Sequence, residues 1–159
     1  MTATTSPAKA SESPQAATEI HCMEIIGGNE PVTRALSSPG LDIWVNSLPH
    51  HGDTGGGDIH YFSMCGAGQV TRLALADVSG HGQSVGDMAR TLRKLMRKHI
   101  NELDQTRFAQ ELNHEFGRVV SAGRFATAVL TTYFAPTQNL IVVNAGHPRP
   151  LWYSTRLKR

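Results

Sequence analysis

The stretch LALADVSGHGQSVGDMARTLRKLMRKHI, residues 73–100, is the most informative about the fold, because its hydrophobic period changes once along its length. Up to Val78 the residues alternate as on a half-buried strand, with Leu73 and Leu75 on one face. From Gln83 the apolar residues are spaced by three, four and one, which is one face of an α-helix. They are Val85, Met88, Ala89, Leu92, Leu95, Met96 and Ile100.

Further strands and one more helix are predicted on either side of this stretch. Asp104 or Thr106 can cap a second helix, with Phe108, Leu112, Phe116 and Val119 on its apolar face. Apolar, β-branched or aromatic runs bounded by turn residues predict strands at residues 41–48, 58–64, 125–135, 140–146 and 151–154. Residues 20–40 predict no clear element. Because strands and helices are segregated rather than alternating, we expect an α+β fold with a mainly antiparallel sheet.

Length and composition are those of a folded domain. The 159 residues are 40% hydrophobic and 18% charged, which leaves room for one domain with its own core. We expect residues 1–19 to form a disordered tail and residues 20–159 the domain. The net charge of +2 does not demand a nucleic-acid partner, and no run is apolar enough to span a membrane. The cysteines lack a disulfide or CxxC pattern and the N-terminus lacks a signal region, which favours the cytoplasm.

Two glycine-rich turns each carry an aspartate at the edge of a strand. They are GGGD at residues 55–58 and DVSGHG at residues 77–82. A carboxylate beside an exposed backbone carbonyl suits Mg²⁺ or Mn²⁺ better than zinc. If the strands that carry Asp58 and Asp77 pair, both carboxylates can face one ion or bridge two. Two ions about 4 Å apart are a common device for activating water against a phosphate ester.

Each turn also has an interpretation without a metal. An Asp before a glycine-rich turn commonly makes an Asx hydrogen bond to its own backbone. In addition, the pattern Gly80-x-Gly82-x-x-x-Gly86 follows a strand and opens a helix, which mimics a dinucleotide-binding fingerprint. A second helix stands where that fingerprint requires the next strand, so we rank the dinucleotide hypothesis below the metal hypothesis.

Histidines and basic residues cluster at two further places. Four potential metal ligands lie close together in the sequence but match no zinc motif; they are His50, His51, Asp53 and His60. His50 and His51 are interpreted mainly as solvent-exposed loop residues. A basic run on the first helix is interpreted as a solvated face with intrahelical ion pairs, the alternative being a surface for an acidic or phosphorylated partner. It comprises Arg90, Arg93, Lys94, Arg97 and Lys98.

The motifs taken together resemble one family. DVSGHG after an apolar strand, with GGD before it and FATAVLTTYF and NAGHPRP after it, looks like the SpoIIE/RsbU group of PPM-type (type 2C-like) serine/threonine phosphatases. The resemblance spans residues 41–153. It implies an αββα sandwich of antiparallel sheets flanked by helices. It also implies two Mn²⁺ or Mg²⁺ ions that direct water onto phosphoserine or phosphothreonine, and bacterial signalling substrates such as a phosphorylated anti-sigma-factor antagonist.

The resemblance assigns roles to particular residues. Asp58 and Asp77 would be the catalytic, metal-binding carboxylates, and Val78 would offer its backbone carbonyl. The residues expected to shape the loops around the site are Gly57, Gly80, His81, Gly82, Asn144, Gly146 and His147. For the two histidines, a turn residue with a local hydrogen bond is an equally weighted alternative.

The chain departs from the family pattern in two ways. Many relatives carry a second Asp three positions after the first, where this chain has Tyr61. The family also places two metal-binding aspartates beyond the NAGHP segment, whereas this sequence has no Asp after Asp104 and ends at Arg159. The expectation is therefore a PPM domain incomplete at its C-terminus, with weak metal binding. Its uncovered apolar sheet surface, which would include Leu73, Leu75, Val129 and Val142, predicts self-association or a molten, dye-binding state. The alternative is a non-catalytic binding module that occupies the partners of an active phosphatase.

Overall fold

The computed structural model describes residues 17–48, 56–65, 67–79, 83–120 and 124–158. The α-helices within these residues are α1 (Gln83–Lys98) and α2 (Gln105–Val119), and a short 3-10 helix covers Ala135–Thr137. The strands are β1 (Thr18–Glu19), β2 (Ile25–Gly28), β3 (Val32–Ser38), β4 (Leu41–Ser47), β5 (Asp58–Cys65), β6 (Val70–Val78), β7 (Ala126–Phe134) and β8 (Asn139–Ala145). β1 covers the last two residues of the predicted tail, and residues 1–16 lie outside the described residues.

The strands form two sheets, and pairing in the larger one is antiparallel throughout. Its order is β2-β5-β6-β7-β8. The smaller sheet has the order β1-β3-β4, with β1 parallel to β3 and β3 antiparallel to β4. Both helices lie between β6 and β7 in the chain. The segregated α+β fold with antiparallel sheets is therefore confirmed.

The strands that flank the helices exclude the dinucleotide hypothesis. β6 and β7 are antiparallel neighbours, with Asp77 opposite Thr127. A dinucleotide-binding unit requires the strand after the helix to run parallel to the strand before it. Gly86 lies inside α1, and Gly80 and Gly82 lie outside the described residues. The glycine pattern is therefore not a dinucleotide fingerprint.

The helices pack on one face of the larger sheet. All seven apolar residues that the periodicity assigned to α1 and its end are buried. α2 begins after Asp104, whose carboxylate accepts the backbone N–H groups of Thr106 and Arg107 at 2.8 and 3.0 Å. The cap is thus Asp104 rather than Thr106. Phe108 and Leu112 of α2 are buried, but Val119 is 62% exposed because the helix ends there.

Arg72 of β6 is buried between the sheet and the helices. Its Nη1 donates to the backbone carbonyls of Ile100 and His99, which follow α1. Its guanidinium carbon lies 4.5 Å from the centre of the Phe108 ring. Nε and Nη2 are buried with no hydrogen-bond partner among the described residues, and burial lowers the pKa of the guanidinium. Arg72 therefore ties β6 to the end of α1 while carrying a desolvated charge.

The smaller sheet packs on the opposite face of the larger one. Leu36 and Ile43 share a buried cluster with Phe62 and Met64 of β5. The Thr71 hydroxyl also donates to the Ser38 hydroxyl across the interface at 3.0 Å. The order of layers is helices, five-stranded sheet, three-stranded sheet, which agrees with part of the expected αββα sandwich.

The two faces of β6 meet different layers. Ala74, Ala76 and Val78 join the cluster under the helices, with Arg72 beside them. Leu73 and Leu75 point to the other face, where Leu73 packs against the smaller sheet and Leu75 is exposed. The predicted alternation is confirmed, and both leucines lie on the face turned away from the helices.

The smaller sheet covers only part of the larger one. Leu75, Leu140 and Val142 are 45%, 40% and 43% exposed, and strand register places them on the same face. The expected exposure of Leu75 and Val142 is confirmed. It is wrong for Leu73, which packs against the smaller sheet, and for Val129, whose side chain is 9% exposed. Self-association through this surface stays a prediction.

The C-terminal segment after β8 forms no further strand. The strand predicted at residues 151–154 is absent, and Leu151 and Trp152 are 99% and 77% exposed. The apolar and aromatic run there pairs with no neighbouring strand in the part of the chain that the structure describes.

Neither described α-helix has the length and apolar content needed to cross a membrane.

Candidate functional site

Asp58 and Asp77 lie directly opposite each other on β5 and β6. The Val78 N–H donates to the Gly57 carbonyl at 3.0 Å, next to this pair. That bond makes Asp58 and Asp77 a non-hydrogen-bonded antiparallel pair, whose side chains share a face and whose Cβ atoms are about 5 Å apart. Both residues are exposed. The strand pairing that the metal hypothesis required is therefore present.

Gly57 leaves open a small space next to this pair. A Cβ placed on Gly57 would lie 3.2 Å from Asp77 Oδ1 and 3.2 Å from the Val78 carbonyl oxygen. A carboxylate oxygen and a carbonyl oxygen thus converge on a point that any other side chain would occupy. Together with Asp58 they form an all-oxygen donor set, which fits Mg²⁺ or Mn²⁺. The residues present are therefore of the ligand type that the expected Mn²⁺ or Mg²⁺ ions require.

A Gly57→Ala substitution tests this opening. The new methyl group would crowd the Val78 carbonyl and Asp77, so we expect Mn²⁺ affinity to fall roughly tenfold, equal to about 1.4 kcal/mol. Isothermal titration of the 159-residue chain measures it. Gly28→Ala is the matched control in the same sheet, because nothing lies within 4 Å of a Cβ there. Equal losses in the two variants would show that the space over Gly57 does not matter.

The site lies on the face of the sheet that is turned away from the helices. Ile59 and Tyr61, at odd offsets from Asp58, point into the helix-packed core. The Tyr61 hydroxyl donates to the Ala89 carbonyl at 2.6 Å, and burial raises the pKa of Tyr61 to about 12. Alternation along β5 places the position three residues after Asp58 in the core. Tyr61 therefore has a packing role and does not substitute for a metal ligand.

His60 lies two positions after Asp58 and is buried on the face that Asp58 shares. Its ring centre is 5.8 Å from that of Phe62. Burial, followed by the charge of Arg34, lowers the pKa of His60, so the neutral imidazole is favoured. His50, His51 and Asp53 lie outside the described residues. The structure therefore does not test the histidine cluster noted in the sequence.

The NAGH segment folds back onto the strand next to Asp77. The Asn144 side chain accepts the His147 N–H and donates to the His147 carbonyl, each at 2.9 Å. Gly146, at φ +72°, makes the left-handed turn between them. His147 Nδ1 lies 2.9 Å from Thr127 Oγ1. Because Thr127 is the register partner of Asp77, His147 stands one strand away from the aspartate pair.

Thr127 and Ser79 were not singled out from the sequence. The Ser79 N–H donates to the Phe125 carbonyl at 2.9 Å, and the Ser79 hydroxyl accepts the Phe125 N–H at 3.0 Å. These bonds hold the segment after β6 against the start of β7, beside Asp77. Ser79 lies in DVSGHG and Thr127 in FATAVL, and these motif positions could have identified both residues from the sequence. Gly80, His81 and Gly82 lie outside the described residues, so their predicted loop-shaping role stays a prediction.

A separate group of metal-ligating side chains lies in the helix layer. Ligand atoms of His99, Glu111 and Glu115 are within 4.8 Å of one another. Glu115 accepts Lys98 Nζ at 2.7 Å and lies 2.7 Å from His99 Nε2, and these two contacts lower its pKa. Lys98 already neutralises the carboxylate, so we interpret the group as an ion-pair network. It cannot complete the Asp58–Asp77 site, because the helices pack on the other face of the sheet.

Comparison with protein-family models identifies the family of the chain. The model of the family Stage II sporulation protein E (SpoIIE) matches residues 67–158, which include β6, both helices, β7, β8 and the NAGH segment. Asp77, Val78, Asn144 and His147 lie inside the matched range, and Asp58 lies before it. Searches of curated proteins and of solved structures returned no match.

Proposed function

The chain belongs to the SpoIIE family, and from that premise we propose that it is a metal-dependent protein phosphatase that hydrolyses phosphoserine or phosphothreonine on a signalling protein. The observation that carries the proposal is the direct pairing of Asp58 with Asp77 beside the Val78 carbonyl. A pair of carboxylates on one exposed sheet face repels a phosphate unless cations lie between them. The arrangement is therefore unfavourable for binding a bare anion and favourable for holding divalent ions.

Asp58, Asp77 and the Val78 carbonyl would hold Mn²⁺ or Mg²⁺ in this function. When bound, such ions supply Lewis acidity toward the phosphate and an activated water. Asp77 stands at the end of β6, held on one side by pairing with β5 and on the other by pairing with β7. The carboxylate is therefore placed by backbone hydrogen bonds on both sides and needs little reorganisation to bind a cation.

The NAGH turn has a positioning role in this proposal. Asn144 holds the backbone of His147, and Thr127 holds its ring. These contacts fix one wall of the sheet end that carries Asp77. No cysteine takes part: Cys65 is buried in the helix-packed core, and Cys22 lies by Met64 at the other end of β5. Direct attack by water, without a phosphoenzyme, is the reaction that these residues support.

The proposed substrate is a phosphorylated signalling protein such as an anti-sigma-factor antagonist, in the bacterial cytoplasm. A phosphoserine peptide tests the reaction. We expect the 159-residue chain to release phosphate from the peptide in the presence of Mn²⁺, and we expect this release to stop when a chelator is added. Hydrolysis that continues in chelator would contradict the proposal. Binding of the phosphopeptide with neither Mn²⁺ binding nor hydrolysis would favour the alternative of a non-catalytic binding module.

Metal affinity gives a second prediction. The described residues bring three ligating groups together at this site, two carboxylates and one carbonyl, whereas each of two Mn²⁺ or Mg²⁺ ions prefers about six oxygens. We therefore expect the 159-residue chain to bind Mn²⁺ with a dissociation constant on the order of 10⁻⁴ M or weaker. Isothermal titration measures it. A two-site isotherm with submicromolar affinity would mean that the ligand set in this chain is already complete.

A further inference from the structure

A cavity of about 380 Å³ lies between β2, the smaller sheet and α1. This volume is within the range of small-molecule sites, about 300–1,000 Å³. Leu36 and Phe62, both buried, form part of its apolar wall. Asn29 stands at one side, where its side chain donates to the Gly56 carbonyl at 3.2 Å and its own carbonyl accepts the Gly56 N–H at 3.0 Å. The cavity is thus built by three separate parts of the chain.

The charged side chains around this cavity are mostly cationic. Arg34 of β3 and Arg90 and Arg93 of α1 line it, against a single carboxylate, that of Glu30. Arg90 pairs with Asp87, which lies outside the lining. Arg34 and Arg93 have no carboxylate within 4.0 Å among the described residues. Even with Arg90 paired to Asp87, positive charge exceeds negative charge around this concave space, which therefore attracts an anion such as phosphate.

The position of Arg93 suits this purpose. One of its terminal nitrogens donates to the Ile25 carbonyl at 3.0 Å, which holds the side chain against β2 at the cavity wall. A guanidinium has five N–H donors, so this bond leaves others for a ligand. Arg34 reaches the cavity from the smaller sheet. Cations from two different layers thus approach one space, in the planar donor geometry that suits phosphate oxygens.

We propose that this cavity is an anion site for a phosphate dianion, either free phosphate or a phosphorylated side chain. It is distinct from the aspartate pair, which would hold cations. His60 lines the cavity and is two residues from Asp58 on the same strand face, so the two sites begin about 7 Å apart along β5. The proposal does not depend on the proposed phosphatase activity, because anion binding requires neither metal nor hydrolysis.

The test is titration of the 159-residue chain with inorganic phosphate in chelator, where the aspartate pair holds no cation. We expect binding with a dissociation constant on the order of 1 mM or tighter, and weaker binding of acetate, which carries one charge. A second titration uses a phosphoserine peptide. Tighter binding of the peptide than of phosphate would identify a phosphorylated side chain as the ligand, and equal binding would identify free phosphate.

Arginine variants locate the site. Arg34→Gln and Arg93→Gln are each expected to weaken phosphate binding roughly tenfold, the loss typical of a charge-assisted hydrogen bond. Arg97→Gln is the matched control, because Arg97 is exposed on α1 and does not line the cavity. Arg34 is exposed, so Arg34→Gln should fold normally. This variant therefore tests the proposal even if Arg93→Gln, which loses the bond to Ile25, does not fold. Absence of phosphate binding, or equal affinity in the Arg34 and Arg97 variants, would overturn the proposal.

Discussion

Asp77→Asn is expected to lower Mn²⁺-dependent phosphatase activity by at least about a hundredfold, near 3 kcal/mol of transition-state stabilisation. Asn has the same shape and makes the same Asx hydrogen bond as Asp, so a residue that only shapes the turn would tolerate the change. A residue that holds cations would not, because Asn lacks the negative charge and one of the two oxygens. The measurements are initial rates on a phosphoserine peptide and the heat of Mn²⁺ binding.

The melting temperature in chelator separates this effect from unfolding. Asp58 and Asp77 are like charges directly opposite each other, an arrangement that destabilises a sheet when nothing lies between them. We therefore expect the melting temperature of Asp77→Asn in chelator to hold or to rise. Asp42→Asn, an exposed position on the smaller sheet, is the matched control and should keep both activity and Mn²⁺ binding. Full activity in the Asp77 variant would mean that this residue only shapes the turn and holds no catalytic cation.

Arg72→Ala is expected to cost about 3 kcal/mol of unfolding free energy. The substitution empties the space over Phe108 and removes the donor to the carbonyls of His99 and Ile100. The aliphatic stem of a buried arginine contributes packing as well as charge, so much of the loss comes from the cavity. Urea unfolding, with midpoint and slope both recorded, measures the change.

Arg72→Met distinguishes packing from charge. Methionine fills a similar length over Phe108 and removes the two guanidinium nitrogens that have no partner. Because an unpaired desolvated charge is costly, we expect this variant to lie within about 1 kcal/mol of the unsubstituted chain. Arg97→Ala, an exposed control on α1, should change the unfolding free energy by less than about 0.5 kcal/mol. A methionine variant as unstable as the alanine variant would mean that the bonds to the two carbonyls dominate.

Local patterns in the sequence were sufficient for several features of the fold. The change of period between Val78 and Gln83 predicted β6 followed by α1, because alternation and helical spacing depend only on nearby residues. Asp104 was likewise a predictable cap, since its bonds reach only two and three residues ahead. The tight β-strand pattern of residues 125–135 also matched β7.

Other features did not follow from local pattern. β2 pairs with β5, and β3 pairs with β4. These pairings stabilise the two strands, whereas the short apolar run within residues 20–40, interrupted by glycines and a proline, predicted no clear element on its own. The aromatic residues at 151–154 suggested a strand, but a strand needs a partner and none is present among the described residues. Which face of β6 meets the helices also could not be read from the sequence alone. The period of a strand identifies two faces but does not say which neighbour covers each of them.

Residue type and short spacing were sufficient to predict the α+β class, the main helices, and Asp58 and Asp77 as candidate ligands. The folded structure was needed to show that the two aspartates are opposite each other, with the Val78 carbonyl facing the space over Gly57. It alone also brought Arg34 and Arg93, 59 positions apart in the printed sequence, to one cavity. Strand register and the packing of a helix against two sheets arise from contacts between distant parts of the chain, and no local pattern encodes them.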